Sequence, residues 1–233
     1  KHARTRNWSH RPAVVRALAE AAQGQAIALV DASRPYAKAT DNSAGYYYVG
    51  EAEADTAYAT FCYGLALRRT GAPLNAHSIA PQLENLQQRI NAIFRPPLSI
   101  EKHPDFIRLN STVKLANELD GSKRYAGALY EYLLAELQLG LLQNSTPSGD
   151  LHAEAEKWKS KLSHGRDDSI AELFLERAEC SFDTKDPTDT KKAAVIFATV
   201  LPAYFAAITA TANSPTTHPQ RSTTVTLVRW PFT

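Results

Sequence analysis

Methionine is absent from this chain, and cysteine occurs only twice. A core without thioethers has nothing of that kind for oxidation to turn polar, which suits an oxidising compartment. The sequence starts at Lys1 with a basic cluster, Lys1, His2, Arg4 and Arg6. We expect from this a mature exported protein, periplasmic or extracellular, whose signal peptide has been removed. Cys62 and Cys180 have none of the CxxC, CxxCH or paired spacings of redox, haem and zinc motifs. Two readings of them stand side by side. One is a disulfide tying the second helix to the penultimate one, worth about 4–5 kcal/mol in the chain-entropy picture. The other is two free thiols buried on apolar helix faces.

Glycine is also scarce, at 10 of 233 residues, and Val, Ile and Thr do not form repeated alternating runs. A fold built from many strands is therefore not expected. No sign of charge dominates: 26 basic residues stand against 24 acidic ones, for a net charge of +2. No Lys/Arg run interleaves with aromatic residues, so nucleic acid is excluded as an expected partner. Recognisable chemistry is missing too. There is no HExxH, no GxSxG and no glycine-rich phosphate loop. Asp150-x-His152 and His164-x-x-Asp167 read as capping or solvated groups rather than metal ligands. Glu51, Glu53 and Asp55 do not share one helix face and read as a solvated side. No catalytic, cofactor-binding or metal-binding set follows, and the chain is not expected to be an enzyme.

What the chain has in quantity is helix-forming material. Hydrophobic side chains make up 44% of it, enough for a sizeable core, and Ala, Leu, Glu, Gln and Arg are prominent. The run at 193–212, AAVIFATVLPAYFAAITATA, carries no charge. A helix apolar on every side belongs inside other helices or inside lipid. Its length would cross a bilayer. Its Ala/Thr composition and central Pro202 instead favour burial in a helical core, with Pro202 kinking the helix.

The remaining elements follow from caps and periodicity. A first helix over 9–32 carries Val14, Leu18 and Ala21 on one face. A second over 44–69 opens on Tyr46, Tyr47 and Tyr48. Successive residues point about 100° apart, so all three cannot be buried together, and at least one should lie at a groove or interface. A third begins behind Ser78 with Leu83, Leu86, Ile90 and Ile93 in one stripe. A fourth begins near His103 with Pro104 in its first turn, and a heavily apolar fifth spans 123–142. The linker-like NSTPSGD at 144–150 separates a sixth helix (151–163), a seventh behind Asp167, and a last one capped by Asp186 with Pro187 following.

Leu115, Ala116 and Leu119, followed by Tyr125, Ala128, Tyr132 and Ala135, fit the alternation of small and aromatic positions in one helical hairpin. The segment 115–135 resembles a single degenerate tetratricopeptide unit. Val49-Gly50-Glu51-Ala52 is similar to the first helix of another, but Ala57 and Phe61 come too soon for its turn. The resemblance implies stacked helical hairpins and contact with proteins, and implies no substrate.

Residues 224–228, TVTLV, show the single strand pattern, followed by Arg229, Trp230, Pro231 and Phe232. A lone strand has unpaired edges and seeks a partner. These observations add up to an all-α antiparallel hairpin or bundle array around a buried C-terminal helix, with a short β-strand tail. Residues 1–143 would form an N-terminal helical layer, 144–221 the C-terminal helices and 222–233 the tail. The expected function is an exported, non-catalytic scaffold or protein-binding module in a larger assembly, with no cofactor. Contacts would run through Tyr46, Tyr47 and Tyr48 and through Arg229, Trp230 and Phe232, to a partner or to another copy. The alternative is a helical bundle that binds a small apolar ligand or pigment beside the last helix.

Overall fold

A computed structural model describes residues 12–38, 42–67, 76–93, 103–143, 150–162, 167–182 and 186–209. Its helices are α1 (Pro12–Ser33), α2 (Ser43–Leu67), α3 (Ala80–Ile93), α4 (His103–Gly121), α5 (Tyr125–Leu142), α6 (Leu151–Lys161), α7 (Ser169–Phe182) and α8 (Pro187–Thr209). A 3-10 turn, Arg34–Lys38, extends α1. No strand occurs among the described residues, and the protein is all-α. The strand expected at 224–228 lies outside the described residues, as do Arg229, Trp230 and Phe232.

The helix at the centre is α5 rather than the last one. Twelve of its 18 residues are buried, and α1, α3, α4 and α8 all pack on it. Its sequence, YAGALYEYLLAELQLGLL, is apolar nearly all round, which is what burial on several sides demands. The last helix, α8, is covered on one side only. Val195, Ile196, Phe197, Val200, Leu201 and Tyr204 are buried, whereas Ala198, Ala206 and Thr209 are exposed. Small residues on the outer side leave little apolar area in water, so an uncharged helix can lie at a surface after all.

Pro202 lies just after a defined irregularity in α8. Ile196–Val200 is a π-helical turn, closed by the Leu201 N–H donating to the Ile196 carbonyl five residues back. Pro202 has no N–H for the carbonyl of Ala198, and the wider turn resets the ladder around that gap.

Two glycines set how closely α5 meets its neighbours. A Cβ on Gly127 would stand 2.6 Å from Glu20 Cβ and 3.1 Å from the Ala21 nitrogen in α1. A Cβ on Gly140 would collide with Val195 Cγ1 of α8. Bare backbone at both points lets the helices approach. The first approach also completes a cap. Arg124 precedes α5 and supplies no side-chain hydrogen bond to it. The Glu20 carboxylate of α1, buried and held by Arg16 Nε at 2.7 Å, accepts the Gly127 N–H at 2.8 Å instead. A carboxylate at an orphan N–H in a helix's first turn is favourable for both hydrogen bonding and the helix dipole.

Caps supplied across the chain recur. Asp150 and Asp186 cap α6 and α8 locally. Asp120, at the end of α4, accepts from Ser78 Oγ at 2.7 Å and from the Ile79 N–H at 2.9 Å ahead of α3. Asp167 accepts from the Ser169 N–H at 3.1 Å and from the Ala13 N–H of α1 at 2.8 Å. Ser169 Oγ adds a bond from the Val14 N–H at 3.1 Å, so the N-termini of α1 and α7 share one polar joint.

In the α4–α5 hairpin, Ala116, Ala128 and Ala135 are fully buried and Tyr132 nearly so. Residues 122–124 make the turn, with Lys123 at φ 63°. Cys62 and Cys180 are both free, Cys62 buried on α2 and Cys180 exposed on α7. The disulfide reading is corrected by the packing: α2 and α7 each lie on α1 rather than on one another. Cys180 also differs from the buried free thiol expected there.

Candidate functional site

The α2 helix is packed the reverse of a normal core helix. Only Gly45, Ala52, Ala59 and Cys62 of its 25 residues are buried. Spacings of seven, seven and three put them in one narrow seam, which faces α1. Small residues turn inward and large ones outward. Tyr46 is 71% exposed, Tyr47 62%, Phe61 62% and Leu67 87%. Val49 and Tyr58 on α2, with Ile27 and Val30 on α1, are exposed too. Nearly all the exposed large apolar side chains among the described residues therefore sit on one hairpin. Isolated exposed hydrophobics mean little, but a concentration of this kind marks a contact surface.

The three consecutive tyrosines divide as helical geometry requires. Tyr46 points outward, with Asn42 Nδ2 donating to its hydroxyl at 3.4 Å. Tyr47 also points outward, and its phenol is pushed up by a hydrogen bond to Glu51 and by that residue's charge. Tyr48 is half-buried against the Tyr36 ring, 5.9 Å away between centroids. The helix carries Glu51, Glu53 and Asp55 and no Lys, Arg or His, so this apolar face has an acidic character. Phe61 and Leu67, missed as contact residues in the sequence reading, extend the same surface. The sequence signals only the excess: α2 has apolar residues on all sides, too many for one seam, with nothing to say which of them stay outside.

Beneath the edge of this surface lies a second feature. A cavity of about 420 Å³ opens between α1, α2, α4 and α5. Tyr58 and Asp55 of α2, Arg108 of α4, and Tyr130 and Glu131 of α5 line it. Glu131 is 8% exposed, and no described residue bonds to its carboxyl. Burial alone pushes that carboxyl up to about 7. Tyr130 beside it is raised by burial and then by the Glu131 charge, with Arg177 of α7 opposing. Tyr58 is pushed up to about 12, first by burial and then by its hydrogen bond with Cys62. Asp55 is raised by burial and then by Glu51.

Glu131 has a sign that can be tested. Its folded value of about 7 lies above its ordinary 4.5, so the folded chain holds a proton that the unfolded chain releases. Stability from this group is full below pH 4.5, falls between pH 4.5 and about 7, and stays reduced above that. Replacing Glu131 by glutamine should flatten that fall, so the variant unfolds at a higher temperature than the parent at about pH 8 and not at about pH 4. Thermal melts at the two pH values check this.

The loop pairs considered for metal have structural duties. Asp150 accepts from the His152 and Ala153 N–H groups, the His152 ring packs edge-on to Phe182, and Asp167 joins α1 to α7. His164 lies outside the described residues. Among the described residues no group of three or more His, Cys, Asp or Glu is placed to hold a metal. The void beside the end of α8, bounded by Ala76, His77, Tyr125 and Ala207, holds only about 10 Å³, about the space of one water. By length and apolar composition, Pro12–Lys38 and Pro187–Thr209 would each be able to cross a membrane.

Comparison with known protein families, with curated proteins and with solved structures finds no match.

Proposed function

We propose that the protein is a non-catalytic helical scaffold that binds another protein through the outward face of α2, as part of an exported assembly. The observation that carries this is the inverted packing of α2, with Gly45, Ala52 and Ala59 inside and Tyr47, Phe61 and Leu67 outside. Aromatic side chains with polar tips are the residues that protein interfaces favour. The tetratricopeptide-like pattern over 115–135 supports the same class of function. A methionine-free composition supports export. Glu51 and Glu53, exposed and without a basic neighbour on the helix, make a second copy of α2 an electrostatically poor mate. The partner we infer presents an apolar surface rimmed by Lys or Arg.

The alternative of a small apolar ligand beside α8 gains no support from the 10 Å³ void there.

A photo-crosslinking residue placed at Tyr47 or Phe61 should give a discrete heteromeric adduct in the native host. A control at the exposed Gln88 of α3 should give none. Adduct yield should fall as salt rises, because an acidic rim is screened. Equal patterns at Phe61 and Gln88 would sink the proposal. An adduct of twice the chain's mass would overturn the basic partner in favour of self-association.

A further inference from the structure

The geometry points to the cavity between α1, α2, α4 and α5 as a binding site for a small organic ammonium compound, its cation seated on Glu131 in the cavity that Tyr58 and Tyr130 also line. This inference does not rest on the docking face on α2, although Tyr58 borders both. The cavity, at about 420 Å³, falls in the size range of sites that enclose small ligands. One wall is apolar, from Leu18, Ala21 and Leu115. Its polar groups converge rather than scatter: Tyr58, Tyr130 and Glu131 lie close enough that each influences the ionisation of the next.

Glu131 is more than nine-tenths buried and has no hydrogen-bond partner among the described residues. A buried carboxyl left unpaired is costly, and burial lessens that cost by raising its hold on a proton. A ligand that brings its own positive charge relieves the cost directly. An ammonium group supplies the missing charge and up to three N–H donors. Tyr58 and Tyr130 line the same cavity and offer ring faces for cation–π attraction. An anion gains none of this, since it would meet a carboxylate at the floor. Arg108 sits at the exposed mouth, where solvent screens it from the buried end.

The other charged groups on the packed elements are committed or distant. On α1, Glu20 is held by Arg16 and the Gly127 N–H. On α2, Asp55 is raised by burial and then by Glu51, not by Glu131. On α5, Glu136 is paired with Arg89 of α3. Arg177 of α7 acts on Tyr130. Burial is therefore what sets the Glu131 carboxyl, and a bound cation would reverse its effect. Binding below about pH 7 then drives one proton off Glu131, so affinity should fall about tenfold per pH unit there.

The test uses the full chain and three probes of one shape: phenethylammonium, 3-phenylpropionate and 2-phenylethanol. Calorimetry at about pH 8 should show saturable binding of phenethylammonium, with the anion and the alcohol at least about tenfold weaker. At about pH 6, heats measured in two buffers of different ionisation enthalpy should show close to one proton released. Glu131→Gln should weaken the ammonium at least about tenfold and abolish the proton release. Ser111→Trp, at the exposed mouth, should block binding while leaving the circular dichroism unchanged. If 3-phenylpropionate binds as well as the ammonium, if no probe binds, or if the glutamine variant binds unchanged with a native spectrum, the assignment is wrong.

Discussion

Replacing Arg89 by alanine should cost about 3 kcal/mol of stability, the lower end of the range for breaking a buried ion pair. Arg89 grips Glu136 with both nitrogens, Nη1 to Oε1 at 2.7 Å and Nη2 to Oε2 at 2.8 Å. The Glu136 side chain is 1% exposed on the central helix, while Arg89 is 38% exposed. Taking away the guanidinium strands a charge inside the protein. A buried carboxylate left without its partner is what makes the loss large. The Tyr132 hydroxyl also hydrogen bonds Glu136 and softens the loss. Water already reaches the arginine, which keeps the loss at the low end of that range. Urea unfolding followed by circular dichroism measures the effect. Pairing Arg89→Met with Glu136→Leu should recover most of it, because an apolar pair of similar volume avoids both desolvation costs. If the single variant loses less than about 1 kcal/mol, α3 is not fastened to α5 by this pair.

Asp167→Ala should destabilise the fold by about 2–4 kcal/mol, since it uncaps two helices with one substitution. The carboxylate is 5% exposed and divides its oxygens between Ala13 N–H, at 2.8 Å to Oδ2, and Ser169 N–H, at 3.1 Å to Oδ1. Each N–H left without an acceptor in a buried joint carries its own desolvation cost. Asparagine keeps one oxygen, so Asp167→Asn should lose roughly half as much. Hydrogen exchange at Ala13 and Ser169 should accelerate together in the alanine variant, because the two N–H groups depend on one acceptor. Acceleration at Ser169 alone would show that α1 is held by other contacts.

Local signals were readable to within a few residues. Ser78, Asp150, Asp167 and Asp186 stand just before helices, and Leu83, Leu86 and Ile90 form the buried stripe that their spacing required. The same reading failed to rank the helices. An unbroken uncharged run at 193–212 looked more central than 125–142, which contains Glu131 and Glu136. In the folded chain the order is reversed. The two glutamates lie inside with Arg89 paired to one and burial raising the proton affinity of the other. Their presence in an otherwise apolar helix was the clue to a polar site. Periodicity cannot show whether such a residue has a partner, since Arg89 lies 47 positions away. Tyr46 and Tyr47 could be singled out because three adjacent rings cannot share one face. Phe61 and Leu67 could not, because nothing local says which side of α2 meets α1.

Composition and spacing by themselves determined the helical character of the described residues, the approximate ends of those helices and the lack of a familiar catalytic motif, because these depend on residues within a turn or two of one another. Tertiary structure alone decided that α5 is the enclosed helix, that α2 turns its small side inward, that Asp167 and Glu20 cap helices far away in sequence, and that Glu131 faces a cavity. Those outcomes depend on which surfaces meet, and burial and charge pairing are settled between helices rather than along one.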